Sequence, residues 1–269
     1  MRIISLTSIP SRFQGLEPTL LSLLRQGADE VRLYIPYHYQ RFPDWDGCLP
    51  SVPAGVTIYR SDKDYGPATK ILPACRDLRG SGAQILFCDD DCICDEGWAE
   101  TLFRIQGVRQ AEAVAGYVRG AEGYVPNKTQ ARRWKRAWEL PIRYAVAYRF
   151  SRLLYKLFGT RTFKRRPFVV PGYGEILFGA AGAVVRPEFF DDVAYDIPAA
   201  AWPVDDIWLS ANLARRGIKI YCPWMVALPD SSATSVEDAL VDNEFLGMKR
   251  QELNRAAARI CQQMFGVWN

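Results

Sequence analysis

Three consecutive aspartates, Asp89-Asp90-Asp91, follow the apolar run Ile85-Leu86-Phe87-Cys88. Gln84–Cys88 suits a strand buried on both faces. Three carboxylates at its end repel one another and lose hydration. A hard divalent cation relieves both costs: Mg²⁺ or Mn²⁺ takes one or two carboxylates and completes its shell with water and substrate phosphate oxygens. Alternating side-chain direction sends Asp89 and Asp91 to one side and Asp90 to the other, so the D-x-D pair can share a ligand. The plain alternative is a solvated acidic turn capping the next helix.

A second acidic pair, Asp205-Asp206, stands between Trp202-Pro203-Val204 and Ile207-Trp208-Leu209-Ser210. Aspartate is a favoured N-cap and is stabilised at the positive end of a helix. One aspartate suffices for that, and a general base facing an acceptor hydroxyl is a reason for the second. Between the two clusters lies Gly174-Glu175-Ile176-Leu177-Phe178-Gly179-Ala180-Ala181-Gly182-Ala183. Its small residues admit a close ligand or a close neighbouring element equally well. The only histidine is His38, and none of the seven cysteines forms a C-x-x-C pair. That spacing argues against a structural zinc site and a Ser-His-Asp triad, and for buried free thiols.

These groups need elements to hold them. Arg2–Leu6, Val31–Ile35, Val56–Tyr59, Gln84–Cys88 and Ala113–Val118 read as strands. Between them run a leucine-rich helix with Pro18 in its first turn, a helix with Pro67 in its first turn, and a helix from about Glu96. The rhythm predicts an α/β fold with a mostly parallel central sheet and flanking helices. Further on, Glu175–Val185 and Ile218–Cys222 read as strands. A helix from Asp205 or Asp206 to Arg216 has Gly217 as its C′ residue, and a long amphipathic helix spans about Val236 to Met264. In open α/β sheets ligands bind beyond the strands' carboxyl ends. There the sequence places Thr7-Ser8-Ile9-Pro10-Ser11-Arg12, then Asp62 to Lys70, then the three aspartates.

With 269 residues, 49% of them apolar, the chain can bury a full core and is neither disordered nor fibrous. Its longest uncharged apolar run, Ile176 to Val185, is ten residues, where a bilayer span needs about 20. The first residues break at Pro10 and do not resemble a signal peptide. A soluble cytoplasmic protein is expected. Lys128 to Arg166 holds thirteen Lys/Arg against the single acid Glu139, a balance of +12. The total of +4 therefore leaves the rest of the chain at −8. The expected plan is one domain in three stretches, residues 1–126, a basic helical insert at 127–167, and residues 168–269.

The D-D-D after a buried strand, the Gly-Ala-Ala-Gly segment and Val204-Asp205-Asp206 opening a helix, in this order, resemble the landmarks of GT-A-fold glycosyltransferases that use nucleotide sugars. The likeness is to the family-2, bacterial surface-glycan kind, and it covers most of the chain outside the insert. It implies a Rossmann-like GT-A fold and transfer of a sugar from a nucleoside-diphosphate donor, UDP-linked by expectation, to a glycan or glycolipid hydroxyl. Thr7, Ser8, Arg12, Asp64 and Lys70 match the region holding base and ribose. Asp89 or Asp90 would contact the ribose. Asp91, with Asp89 as a second candidate, would ligate Mn²⁺ or Mg²⁺. Asp206 matches the base of the family's x-E-D motif, here Val-Asp-Asp, so Asp205 stays a candidate. Gly182 and Trp202 are candidates for donor-sugar or acceptor contact. An aspartate base opposite the leaving diphosphate implies inversion; without one in reach the reaction would be retaining. No histidine follows His38, so the C-terminal histidine that some members give the metal has no counterpart.

The insert carries Arg132-Arg133-Trp134-Lys135-Arg136-Ala137-Trp138. Four-residue spacing puts Trp134 and Trp138 on one face of a helix. A basic, aromatic amphipathic segment suits an anionic membrane interface. The same segment would also serve as a helical lid touching the acceptor. The acidic body and the lack of a second basic stripe argue against nucleic acid. Peripheral attachment to the inner face of the cytoplasmic membrane is therefore expected. Two other functions fit the sheet: a nucleotidyltransferase making the sugar nucleotide, disfavoured because Thr7–Arg12 lacks glycine, and a non-catalytic membrane-docking protein.

Overall fold

The computed structural model describes residues 1–125, 136–139, 164–224, 226–238 and 245–269, with 146, 149, 150, 153, 154 and 157. In chain order these form β1 (Arg2–Thr7), α1 (Glu17–Leu24), β2 (Glu30–Pro36), β3 (Val56–Ser61), α2 (Leu72–Asp77), β4 (Gln84–Phe87), α3 (Trp98–Val108) and β5 (Ala113–Ala115). After the insert come β6 (Gly172–Gly174), β7 (Ala183–Val185), α4 (Asp205–Arg215), β8 (Ile220–Cys222) and α5 (Arg250–Phe265). The eight strands make one sheet ordered β6-β8-β5-β7-β4-β1-β2-β3. The β4-β1-β2-β3 pairings and β8-β5 are parallel. β7 and β6 run against their neighbours. The α/β class with a mostly parallel sheet is thus observed.

Alternation along the strands builds a core on each face. Ile4, Leu6, Leu86, Val114 and Val184 pack on the face covered by α1 and α3, where Leu16, Leu20, Leu23, Leu102 and Phe103 are buried. Ile3, Ile85, Phe87 and Val185 face α2 and α4. A third cluster joins Ile207, Trp208 and Ala211 of α4 to Leu253, Ala257 and Cys261 of α5. The 3.6-residue period of both helices makes this seam. Chain order reverses between β1 and β4: from β1 the chain moves outward to β2 and β3, then returns to β4 on β1's other side. Such a switch point opens a crevice at the strands' carboxyl ends.

Several elements differ from expectation. The C-terminal helix begins at Arg250 instead of about Val236. Asp238 and Leu246 have φ of 45° and 53°, left-handed values that an α-helix cannot pass through. The strand expected through Val118 stops at Ala115, and Val118–Arg119 pairs with Ile176–Leu177 outside the main sheet. Trp138 is not helical: Trp138–Glu139 pairs antiparallel with Phe168–Val170, so the shared helix face with Trp134 is lost. Trp134 itself, with Arg132, Arg133 and Lys135, lies outside the described residues. Gly217, with φ of 71°, follows α4 as expected. All seven cysteines are free, and Cys48 alone is exposed.

Candidate active site

The crevice is a cavity of about 560 Å³ at the carboxyl ends of β1 and β4, closed on its far side by α4 and α5. Its walls include Asp64, Asp89, Asp90, Asp91, Asp205, Asp206 and Asp238, opposed by Arg12, Arg41, Lys70 and Arg250. Carboxylates outnumber cations, and their partners differ sharply.

Asp90 is fully engaged. It accepts Ser8 Oγ at 2.5 Å and Arg12 Nη1 at 2.7 Å, so the loop after β1 is fastened to the end of β4. Burial raises its pKa, and Arg12 and Ser8 oppose that rise. Asp89 Oδ1 accepts Lys70 Nζ at 2.6 Å. Among the described residues Asp91 has no such neighbour: the one cation in ion-pair range is Arg12, with Nη1 at 3.6 Å. Burial, then Asp89 and Asp90, push its pKa up. A carboxylate held at this electrostatic disadvantage fits a hard cation. Among the described residues no three His, Cys, Asp or Glu side chains converge into a cation cage.

At the start of α4, Asp205 is buried, and its Oδ2 lies 2.9 Å from Lys70 Nζ. Asp206 turns to the cavity, and its Oδ1 accepts the Gly179 N–H at 2.9 Å. Burial and the neighbouring Asp205 raise its pKa to about 7, against the pull of Lys70 and the Gly179 N–H. That is where a general base at neutral pH is most effective.

The other expected positions have quieter surroundings. Thr7 lines the cavity, with its hydroxyl donated to the Tyr34 carbonyl at 2.8 Å. Asp64 spends both oxygens on the backbone N–H groups of Gln40 and Gly66, each at 2.8 Å, and so shapes the wall. Trp202 lines the cavity, stacks on Phe245 with ring centres 5.6 Å apart and donates to the Asp64 carbonyl. Gly182 is not on the cavity wall. Its φ is 75°, and a Cβ there would come 2.2 Å from Trp98. Its surroundings here are the packed Trp98 ring, the second of its two readings. Arg136 binds Glu122 at 2.5 Å, away from the cavity wall, and Trp138 is exposed.

Sequence reading missed Tyr39, Arg41 and Phe42, which follow β2 and line the cavity. The polar groups legible in the sequence follow β1, β3 and β4, yet β2, parallel to β1 and β3, finishes on the same edge. Arg250 and Asn254 of α5 were missed also. Their four-residue spacing marks one helix face but gives no sign of what it meets.

No known protein family matches this sequence, and no curated protein does. Among solved structures the chain is similar to the crystal structure of GalNAc-T7 with UDP, GalNAc and Mn²⁺, at a TM-score of 0.46 and 11% identity. The similarity covers 82% of this chain and 41% of that one, so the chain spans less than half the length of that protein.

Proposed function

We propose that the protein is a metal-dependent glycosyltransferase of GT-A type, moving a sugar from a nucleoside-diphosphate donor to an acceptor hydroxyl with inversion. One observation carries this reading: Asp91, whose ion contact to Arg12 is a long 3.6 Å, and Asp206, with its pKa near neutrality, line one cavity. On this reading Asp91 holds Mn²⁺ or Mg²⁺, which when bound neutralises charge on the diphosphate. Ser8 and Arg12 orient Asp90 toward the donor ribose. Tyr39, Arg41 and Phe42 flank the nucleotide end. The acceptor oxygen bonds to the anomeric carbon as the bond from that carbon to the diphosphate oxygen breaks. The electron pair leaves with the nucleoside diphosphate, and the acceptor proton passes to Asp206. Asp205, paired with Lys70, is the weaker candidate for the base.

The acceptor on this reading is a surface glycan or its lipid-linked precursor, met at an anionic membrane face through the basic insert. No described helix is long and apolar enough to cross a membrane. A thermal-shift panel of nucleoside diphosphates, with and without Mn²⁺, tests the core of the proposal. A Mn²⁺-dependent rise in melting temperature with one nucleotide is expected. No shift with any of them would sink the transferase reading.

A further inference from the structure

Lys70 is the most enclosed cation of the site, with 4% of its side chain exposed. Its backbone is pinned to β1, because Ser5 Oγ donates to the Lys70 carbonyl at 2.6 Å. Its ammonium sits between Asp89 Oδ1 at 2.6 Å and Asp205 Oδ2 at 2.9 Å, one from each acidic cluster. Gly179 leaves it just enough room, since a Cβ there would stand 2.6 Å from Nζ. The dependence is strongest for Asp205. Among the described residues its buried Oδ2 has no hydrogen-bond partner, and only the ion contact with Lys70 compensates it. Burying a carboxylate without a hydrogen bond is costly unless a cation lies beside it.

Resting on the glycosyltransferase reading, we propose that Lys70 is a positioning residue that divides the work within the two acidic clusters. Asp89 and Asp205 are its counterions, which removes Asp89 from cation binding and Asp205 from proton transfer. Asp91 is left to hold the metal and Asp206 to face the acceptor. The sequence alone offers two candidates for each role, Asp91 or Asp89 for the metal and Asp206 or Asp205 for the base. A single ammonium between them breaks both symmetries, and it also fixes the distance between the donor-side loop after β4 and the acceptor-side helix α4.

The test is Mn²⁺ affinity of the nucleotide-free, full-length protein, read from free Mn²⁺ by electron paramagnetic resonance. Lys70→Met alone would leave two carboxylates uncompensated and risks misfolding, so the principal variant is Lys70→Met with Asp205→Asn. Freeing Asp89 to join Asp91 should tighten Mn²⁺ binding by about tenfold, since ligand charge sets the affinity of such sites. Adding Asp89→Asn should return it to the wild-type value. In an otherwise wild-type chain Asp89→Asn should change Mn²⁺ affinity by less than about twofold, whereas Asp91→Asn should abolish it. Equal affinity in the principal variant and the wild type, or none in either, overturns the proposal. So does an Asp89→Asn loss as large as that of Asp91→Asn. The nucleotide panel separates the two claims. A silent panel with the expected Mn²⁺ pattern removes the transferase reading and keeps Lys70's role.

Discussion

The Gly179 N–H donates to Asp206 Oδ1 across 2.9 Å, tying the glycine-rich segment between β6 and β7 to the first turn of α4. One carboxylate oxygen is thereby fixed, and the side chain is aimed at the cavity it lines. An Asn at this position keeps an acceptor for the same N–H and loses the capacity to take a proton.

Asp206→Asn should therefore bind donor as the wild type does and lose about 10²–10⁴-fold in kcat, the usual range for a general base. With the Asp206 pKa near 7, wild-type kcat/KM should rise with pH through neutrality, and that limb should vanish in the variant. Stability runs the other way. A carboxyl raised in the folded state stabilises the fold fully below its unfolded pKa of about 4 and loses that contribution as pH rises through 7. Asp206→Asn should thus melt higher, relative to wild type, at pH 8 than at pH 4. Retained turnover in both Asp206→Asn and Asp205→Asn would defeat the inverting mechanism.

Asp91→Ala should remove Mn²⁺-dependent binding of nucleoside diphosphate while leaving the fold intact. Among the described residues the side chain takes only the 3.6 Å ion contact to Arg12, and deleting it eases the repulsion with Asp89 and Asp90 that helps raise its pKa. Calorimetry with UDP and Mn²⁺ is the measurement, and undiminished affinity would move the metal elsewhere.

How legible was this site in advance? The strand-end aspartates were readable because β4 is buried on both faces, and three carboxylates directly after such a run stand out from it. The two-sided core followed from periodicity, and the α4 start from its acidic first turn; neither aspartate caps the helix, whose N-cap residue is Val204 with no side-chain cap hydrogen bond. Pairing was not readable. That Lys70 would reach Asp89 and Asp205, or that Asp64 would spend its oxygens on Gln40 and Gly66, depends on loops folding back over the sheet edge. Local sequence does not encode such distances. The overlong C-terminal helix failed for a related reason: apolar spacing continued through residues whose backbone is left-handed.

Gly182 offers a test of packing against ligand contact. A Cβ there meets Trp98 at 2.2 Å and must also adopt a φ of 75°. Overpacking and left-handed strain together should cost roughly 2–4 kcal/mol. Gly182→Ala is expected to lower the denaturation midpoint by that amount while nucleotide affinity in the folded protein stays near wild type. Undiminished stability with lost nucleotide binding would return Gly182 to the ligand.

The insert supplies the last prediction. Helical residues Val146, Phe150, Leu153 and Leu157 are 73%, 60%, 52% and 63% exposed, at spacings of four, three and four. Such spacing draws one apolar stripe along a helix, set in a segment of +12 beside a body of −8. Basic residues near an anionic bilayer contribute about 1 kcal/mol each, within a Debye length of about 8–10 Å. The protein should therefore co-sediment with vesicles containing phosphatidylserine, weakly and reversibly, and release as salt is raised. Arg136 contributes little, being committed to Glu122. Replacing Arg132, Arg133 and Lys135 by Gln should weaken binding and flatten its salt dependence. Replacing Phe150, Leu153 and Leu157 by Ser should weaken it at every salt concentration, and neither set should alter nucleotide affinity. Equal, salt-insensitive partitioning to anionic and neutral vesicles, or none to either, would leave the stripe to the acceptor and withdraw the membrane from this protein's partners.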